Sequence, residues 1–228
     1  MGVRNLQKGE VAKKELLVGT KRGESCSIEV WPLDMDSYDS VKQFASSAAN
    51  LPRLDALLAN AGMFTTVFSI TEDNEKTITT NVVSTFLLVM LLIPKLRHSA
   101  EKLGTMPRIV IPNSALHYLA PLKELDVKEG NIFATLNDPK MADVGDHYPL
   151  SKLVVIYAVR ELADQIKASR KAVVVINTNT SYCQSELLLA NDSFGVRMGA
   201  KLLARSTEMG SCALVHGILS GVESQGHI

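Results

Sequence analysis

The sequence is short of the features that mark several protein classes. Its 228 residues include three cysteines, Cys26, Cys183 and Cys212, scattered without metal-ligand spacing. That argues against a disulfide framework or a cysteine zinc site and fits free thiols in a reducing compartment. Formal charge balances at zero, with no long run of either sign. Nothing therefore points to nucleic acid or an anionic membrane surface as a partner. Aromatics make up 5% of the chain against 46% hydrophobic residues overall, so the core must be aliphatic, as suits an α/β protein. The first residues, Met1-Gly2-Val3-Arg4-Asn5, carry no apolar signal region, and Leu6 breaks the myristoylation pattern. The longest apolar run, 82–93, is interrupted by Ser84 and Thr85 and reads as too short to span a bilayer. Asn179-Thr180-Ser181 and Asn191-Asp192-Ser193 match the glycosylation triplet and, without a secretory signal, read as chance. The expectation is a soluble cytoplasmic protein with no membrane span.

What is present is an alternation of apolar strands and helices. Asn5 can cap a helix over 5–17 with Leu6, Ala12, Leu16 and Leu17 on its apolar side. A strand is predicted over 27–32, closed by Pro32, then a helix over 38–49 capped by Asp36 or Ser37. A buried strand over 54–59 ends at Asn60-Ala61-Gly62. A long helix over 73–102 follows, then a strand over 108–111 that ends at Asn113-Ser114. Residues 115–146 show no strong periodicity, a helix carrying Tyr148 runs to about 169, a strand covers 172–176, and 186–220 is mixed helical. Continuous apolar strands alternating with helices predict a parallel sheet covered on both faces. No repeat or linker divides the chain, which reads as one domain over 1–228.

Tyr148 and Lys152 stand four residues apart at the start of an apolar helix. Residues i and i+4 share a helix face, so phenol and ammonium lie side by side. An adjacent ammonium favours phenolate, and the expectation is a lowered Tyr148 pKa and a proton donor for carbonyl and alcohol chemistry. In parallel sheets, ligands bind beyond the carboxyl ends of the strands. Asp34, Asn60-Ala61-Gly62 and Ser114 all sit at such ends, and Asn81 is a buried amide within the long helix. Each has a plainer reading: a turn residue, a strand-end cap, a bonded helix amide. His117 and His147 read as structural or surface residues, and Cys183 as pocket lining.

In order, Asp34, Asn60-Ala61-Gly62, Asn81, Ser114 and Tyr148-x-x-x-Lys152 resemble the ordered marks of the short-chain dehydrogenase/reductase family over nearly the whole chain. The long gap between Ser114 and Tyr148, and the run Ser114-Ala115-Leu116-His117, are similar to its retinol-dehydrogenase-like branch and to fungal reductases of secondary metabolism. The resemblance implies a Rossmann-type doubly wound parallel sheet. It implies a proton exchanged by Tyr148, with Lys152 lowering its pKa and bonding the nicotinamide ribose. Ser114 would polarise the carbonyl and Asn81 would hold a relay water. Asp34 would meet adenine, and Asn60 with Ala61 and Gly62 the adenine-side ribose or the central sheet. Ser185 would meet the carboxamide. Arg4 would suit a 2′-phosphate, favouring NADP over NAD.

The family's glycine-rich turn is not found. Leu17-Val18-Gly19-Thr20-Lys21-Arg22-Gly23 is a decoy with no third glycine, and Gly19 reads as a helix C-cap. By the resemblance the chain is N-terminally truncated, with the first two strands and the intervening helix absent and with unpaired edges on strands 27–32 and 54–59. Thr180-Ser181 stands where the family has Pro-Gly. Two functional readings follow: an NADP-dependent oxidoreductase acting on a small lipophilic ketone or alcohol, or a catalytically inactive remnant with impaired cofactor binding. Leu187, Leu188, Leu189 and Phe194 suggest the apolar pocket wall, and the helices 73–102 and 148–169 a homodimer interface.

Overall fold

A computed structural model describes residues 1–19, 26–128, 132–141, 143–169, 173–184 and 204–226. Its centre is a parallel sheet of three strands in the order β3 (Ala56–Leu58), β6 (Arg108–Asn113), β7 (Val174–Asn179). Register runs from Ala56 opposite Arg108 to Leu58 opposite Val110, and from Arg108 opposite Val174 to Asn113 opposite Asn179. Ile109, Val110 and Ile111 are buried in succession because β6 is flanked on both edges and covered on both faces.

A second, two-stranded parallel sheet pairs β1 (Gly2–Val3) with β2 (Trp31–Pro32). This corrects the expectation that strand 27–32 has no partner and that the family's first two strands are both absent. Val3 O accepts from Leu33 N at 3.0 Å and Met1 O from Trp31 N at 2.9 Å, so the first residues supply the neighbour. Two residues are too few to show an alternating pattern. No strand among the described residues joins the two sheets, and Leu58 on β3 is exposed at that edge.

Between the sheets' strands run the helices. α1 (Leu6–Gly19) begins under the Asn5 cap, whose Oδ1 accepts from Lys8 N at 3.0 Å, and runs past the expected 17 to include Gly19 as a helical residue rather than a left-handed cap. Its expected apolar side is not inward: Leu6 and Leu16 are exposed, and Gly9 alone is buried, against Val3 and Val30. α2 (Tyr38–Ala49) is capped by Ser37, whose side chain accepts from Ser40 N, and buries Val41, Ala45 and Ala48. The expected helix over 73–102 is in four parts. A hairpin of β4 (Ile70–Thr71) and β5 (Asn74–Glu75) leads into α3 (Lys76–Ile78), a π-helical turn (Thr79–Val83) and α4 (Ser84–Leu103). In the wide turn Ser84 N bonds Thr79 O, five residues back. The Thr80 carbonyl is met by the Thr85 hydroxyl at 3.0 Å. The helical stretch Lys76–Leu103 is long and apolar enough to cross a membrane by length and composition, with a mean hydropathy of 1.8, but 67% of that window is buried inside the molecule.

After β6 come a 3-10 turn (Ala115–Leu119), α5 (Ile132–Leu136) and α6 (Val144–Ala168). α6 starts before Tyr148, under Asp143, whose side chain accepts from Gly145 N. α7 (Thr207–Leu219) lies over β6 and β7 through Gly217, where a Cβ would come within 2.6 Å of Thr178 Cγ2. The final turn closes the far edge of β7: Gly226 N donates to Val175 O and Val175 N to Gln225 Oε1, both at 2.9 Å. One aliphatic core joins α2, α4 and α6 to the sheet through Val41, Leu92, Leu96, Ile109 and Val159. A smaller one gathers Ile78, Leu136 and Leu150.

Candidate active site

Ser114 follows β6 directly, in extended conformation, and begins the 3-10 turn. It is held from behind by a cross-strand pair of buried amides. Asn113 Oδ1 accepts from Ser114 N at 2.8 Å, Asn113 Nδ2 donates to Asn177 Oδ1 at 2.7 Å, and Asn177 Nδ2 donates to Ile111 O at 2.9 Å. His117 is buried and its Nδ1 lies 2.7 Å from Ser114 O. Sequence reading missed this support. Asn113 was visible only as a strand end, and its contact with Asn177 is a diagonal one, since the register sets Asn177 opposite Ile111.

The Ser114 side chain lies beside the Tyr148 phenol, where it favours the phenolate. Tyr148 lies on the second turn of α6, with its ring edge-on to Phe64 at 5.6 Å and 86°. Lys152, one turn on, is buried; its Nζ donates to Pro112 O at 3.0 Å and lies 5.7 Å from the Tyr148 ring centroid. The pair is adjacent, as the spacing implies, but the expected electrostatics are corrected. Burial raises the Tyr148 pKa above its ordinary value, the Ser114 side chain beside it opposes that, and Cys183 nearby adds to it. Lys152 is itself lowered to about 8 by burial. Taking the tyrosine out of water outweighs the help its neighbours give the phenolate.

Asn81 sits in the wide turn, buried, with both amide donors engaged. Oδ1 accepts from Met63 N at 2.8 Å, and Nδ2 donates to Met63 O at 2.9 Å and to Ser151 Oγ at 3.0 Å. Ser151 Oγ in turn donates to Tyr148 O at 2.8 Å. Both amide donors are spent, so a relay water could bond this side chain only through a spare oxygen lone pair. Gly62 completes the cluster: a Cβ there would meet Asn81 Oδ1 at 3.4 Å and Lys152 Nζ at 3.9 Å. Asn60, Ala61 and Gly62 are exposed beyond β3, as a loop that lines an open face must be.

The remaining candidates lie further off. Asp34 Oδ1 accepts from Asp36 N at 3.0 Å, which is its turn role. The carboxylate that gathers partners is Asp36, which sequence reading considered only as a helix cap. It takes the Thr80 hydroxyl at 2.6 Å, Lys76 Nζ at 3.0 Å and Arg4 Nη1 at 3.9 Å. The Arg4 side chain is 74% exposed and free to turn outward. Ser185 and the apolar stretch of Leu187, Leu188, Leu189 and Phe194 lie outside the described residues. At the start of that stretch Cys183 forms a bridge with Arg205, with Gln184 N on Arg205 O and Arg205 N on Tyr182 O, both at 2.8 Å. No group of three His, Cys, Asp or Glu side chains among the described residues is arranged to hold a metal.

The fold thus brings a serine at a strand end and a tyrosine–lysine pair together at the carboxyl ends of the parallel strands. Residues 4–111 match the family model described as short chain dehydrogenase. The chain is 41% identical over 229 residues to the short chain dehydrogenase/reductase dmxR8 of Cryptosporiopsis sp. (strain 8999), covering 99% of this chain and 70% of that protein. It is 37% identical over 224 residues to the short chain dehydrogenase atnD of Emericella nidulans, covering 95% and 69%. Among solved structures, the RhlG/NADP active-site complex of Pseudomonas aeruginosa superposes with a TM-score of 0.68 at 18% identity, covering 99% of this chain and 81% of that one. The chain belongs to the short-chain dehydrogenase/reductase family, and it spans about 70% of the length of those two relatives.

Proposed function

We propose that the protein is an NADP-dependent oxidoreductase that interconverts a carbonyl and an alcohol on a small lipophilic substrate, in the cytoplasm, within fungal secondary metabolism. The observation that carries this reading is the buried Lys152, its Nζ 5.7 Å from the Tyr148 ring, with Ser114 at the end of β6 facing the same phenol. The nicotinamide cofactor supplies the hydride when bound. Ser114 donates to the substrate oxygen and fixes its position. Tyr148 gives its phenolic proton to the same oxygen; its raised pKa keeps that proton in place at neutral pH. Lys152 has three N–H groups and spends one on Pro112 O, leaving others for a ribose hydroxyl and for the tyrosine. The fit for a dinucleotide rests on the open face at Asn60, Ala61 and Gly62, which are exposed, with Gly62 lying next to Asn81 and Lys152. Arg4 supports the 2′-phosphate and hence NADP; Asp34 and Asn60 support the adenosine end, and Ser185 the carboxamide. The lipophilic substrate is supported by Phe64 against Tyr148. Exposed Met90, Leu91 and Tyr157 on α4 and α6 support a homodimer through those helices.

Titrating NADPH fluorescence with the purified chain tests cofactor binding, and Tyr148→Phe tests the chemistry. The expected outcome is micromolar NADPH binding, with the variant losing turnover about a hundredfold or more at little changed affinity. Wild-type turnover in Tyr148→Phe would remove the tyrosine from the central role.

A further inference from the structure

Glu75 and His147 have no exposed surface, and the proton-transfer chemistry uses neither. His147 Nδ1 lies 3.0 Å from Glu75 Oε2 but out of line for a straight hydrogen bond. Its Nε2 is also buried without a partner among the described residues. A buried polar group left short of partners is costly, and a fold that keeps one needs a reason.

The reason is legible in where the two residues stand. His147 directly precedes Tyr148 on α6. Glu75 caps the helical stretch that carries Asn81: Oε2 accepts from Thr77 N at 2.9 Å and Ile78 N at 3.3 Å, and Oε1 from the Thr77 hydroxyl at 3.3 Å. One carboxylate thus holds the start of the Asn81 segment and touches the residue beside the proton donor. A second tie, Asn81 to Ser151 to the Tyr148 carbonyl, joins the same two segments further along. One tie fixes a distance; two ties at different points also fix rotation.

We propose that Glu75 and His147 are positioning residues for the proton-transfer centre, setting the α6 helix against the Asn81 turn so that the Tyr148 phenol meets Ser114. This rests on the reductase reading above. His147→Leu removes the contact, His147→Asn restores an N–H near the place of Nδ1, and Glu75→Gln keeps the capping oxygen without the charge. His147→Leu is expected to lower kcat about tenfold, as small misplacements of reacting groups do, with the NADPH Kd within about twofold of wild type. His147→Asn is expected to recover most of that loss. A folded His147→Leu with wild-type kcat overturns the proposal, as does a loss that only follows the folded fraction. Where His147→Leu does not fold, Glu75→Gln decides: a lowered kcat at unchanged circular dichroism supports the pair, and an unchanged kcat overturns it. A readout independent of turnover is the Tyr148 phenolate absorbance at 295 nm, isolated by subtracting Tyr148→Phe. A wild-type chain without carbonyl reduction sinks the reductase reading alone. The pair is then judged by that titration, which must shift in His147→Leu and return in His147→Asn; an unmoved titration overturns it.

Discussion

Ser181 has a φ of 61°, in the left-handed region, and its N–H is held by Asn179 Oδ1 at 2.8 Å. This is the position where the family resemblance puts glycine, so a serine here adopts a glycine's backbone. A left-handed residue with a Cβ costs about 1–2 kcal/mol, and glycine's extra freedom in the unfolded chain returns about 0.5–1 kcal/mol of that. Ser181→Gly is therefore expected to stabilise the protein by about 0.5–1 kcal/mol, a rise of about 1–4 °C in Tm. Differential scanning calorimetry checks it, and an unchanged or lower Tm would show that the side chain contributes more than its strain. Other single residues carry the same lesson about context. Tyr148 and Lys152 were identifiable by spacing, but the direction of their pKa shifts was not, because burial is a property of the assembled site.

Among the elements, α7 depends on one close approach. An alanine at Gly217 would gain about 1 kcal/mol of helix propensity. Against this, its Cβ would stand 2.6 Å from Thr178 Cγ2 and 3.2 Å from Val110 Cγ1, both on strands of the central sheet that cannot easily yield. Overpacking of this kind costs about 1–3 kcal/mol, so Gly217→Ala is expected to lower the urea midpoint with the slope unchanged. A midpoint at or above wild type would mean that the helix shifts freely on the sheet. The elements also show what could be read beforehand. β6 and β7 were legible because both faces of each are buried, which leaves an unbroken apolar run. α2 was legible through its serine cap. The hairpin was not, since Asn74 and Glu75 are polar and Glu75 is buried by contacts that exist only in three dimensions. Nor was the wide turn before α4, because an unbroken stretch of buried residues looks the same at either helical pitch. The onset of α6 was placed late because residues 115–146 show no strong periodicity, whereas Asp143 is the cap.

At the scale of the whole molecule, the two buried titrating groups of the site give stability a pH dependence of definite sign. Lys152 falls to about 8 in the folded state from an ordinary 10.5. Between those values the unfolded chain holds more protons, so stability rises with pH. Tyr148 is raised, so above its ordinary value of 10 the unfolded chain loses protons first and stability falls. The two effects predict a rise from about pH 8 to about pH 10 and a decline beyond. The lysine's share is at most about 3 kcal/mol, at 1.36 kcal/mol per unit. Lys152→Met is expected to flatten the rise and to be more stable than wild type at pH 7, in urea unfolding at a series of pH values. An identical slope in the variant would place the dependence elsewhere.

The π-helical turn at Thr79–Val83 accommodates one residue more than an ordinary helical turn. Each residue advances a helix by about 100° of azimuth, so that single surplus sets the bearing of Glu75 and Asn81 relative to the face α4 turns to the core. Exchanging a side chain in this stretch changes a contact; dropping one changes the compass direction of everything before it. A chain one residue shorter between Asn81 and Leu88 would swing the Asn81 amide away from the Met63 backbone that it bonds. In this part of the protein, length is specified more strictly than letters.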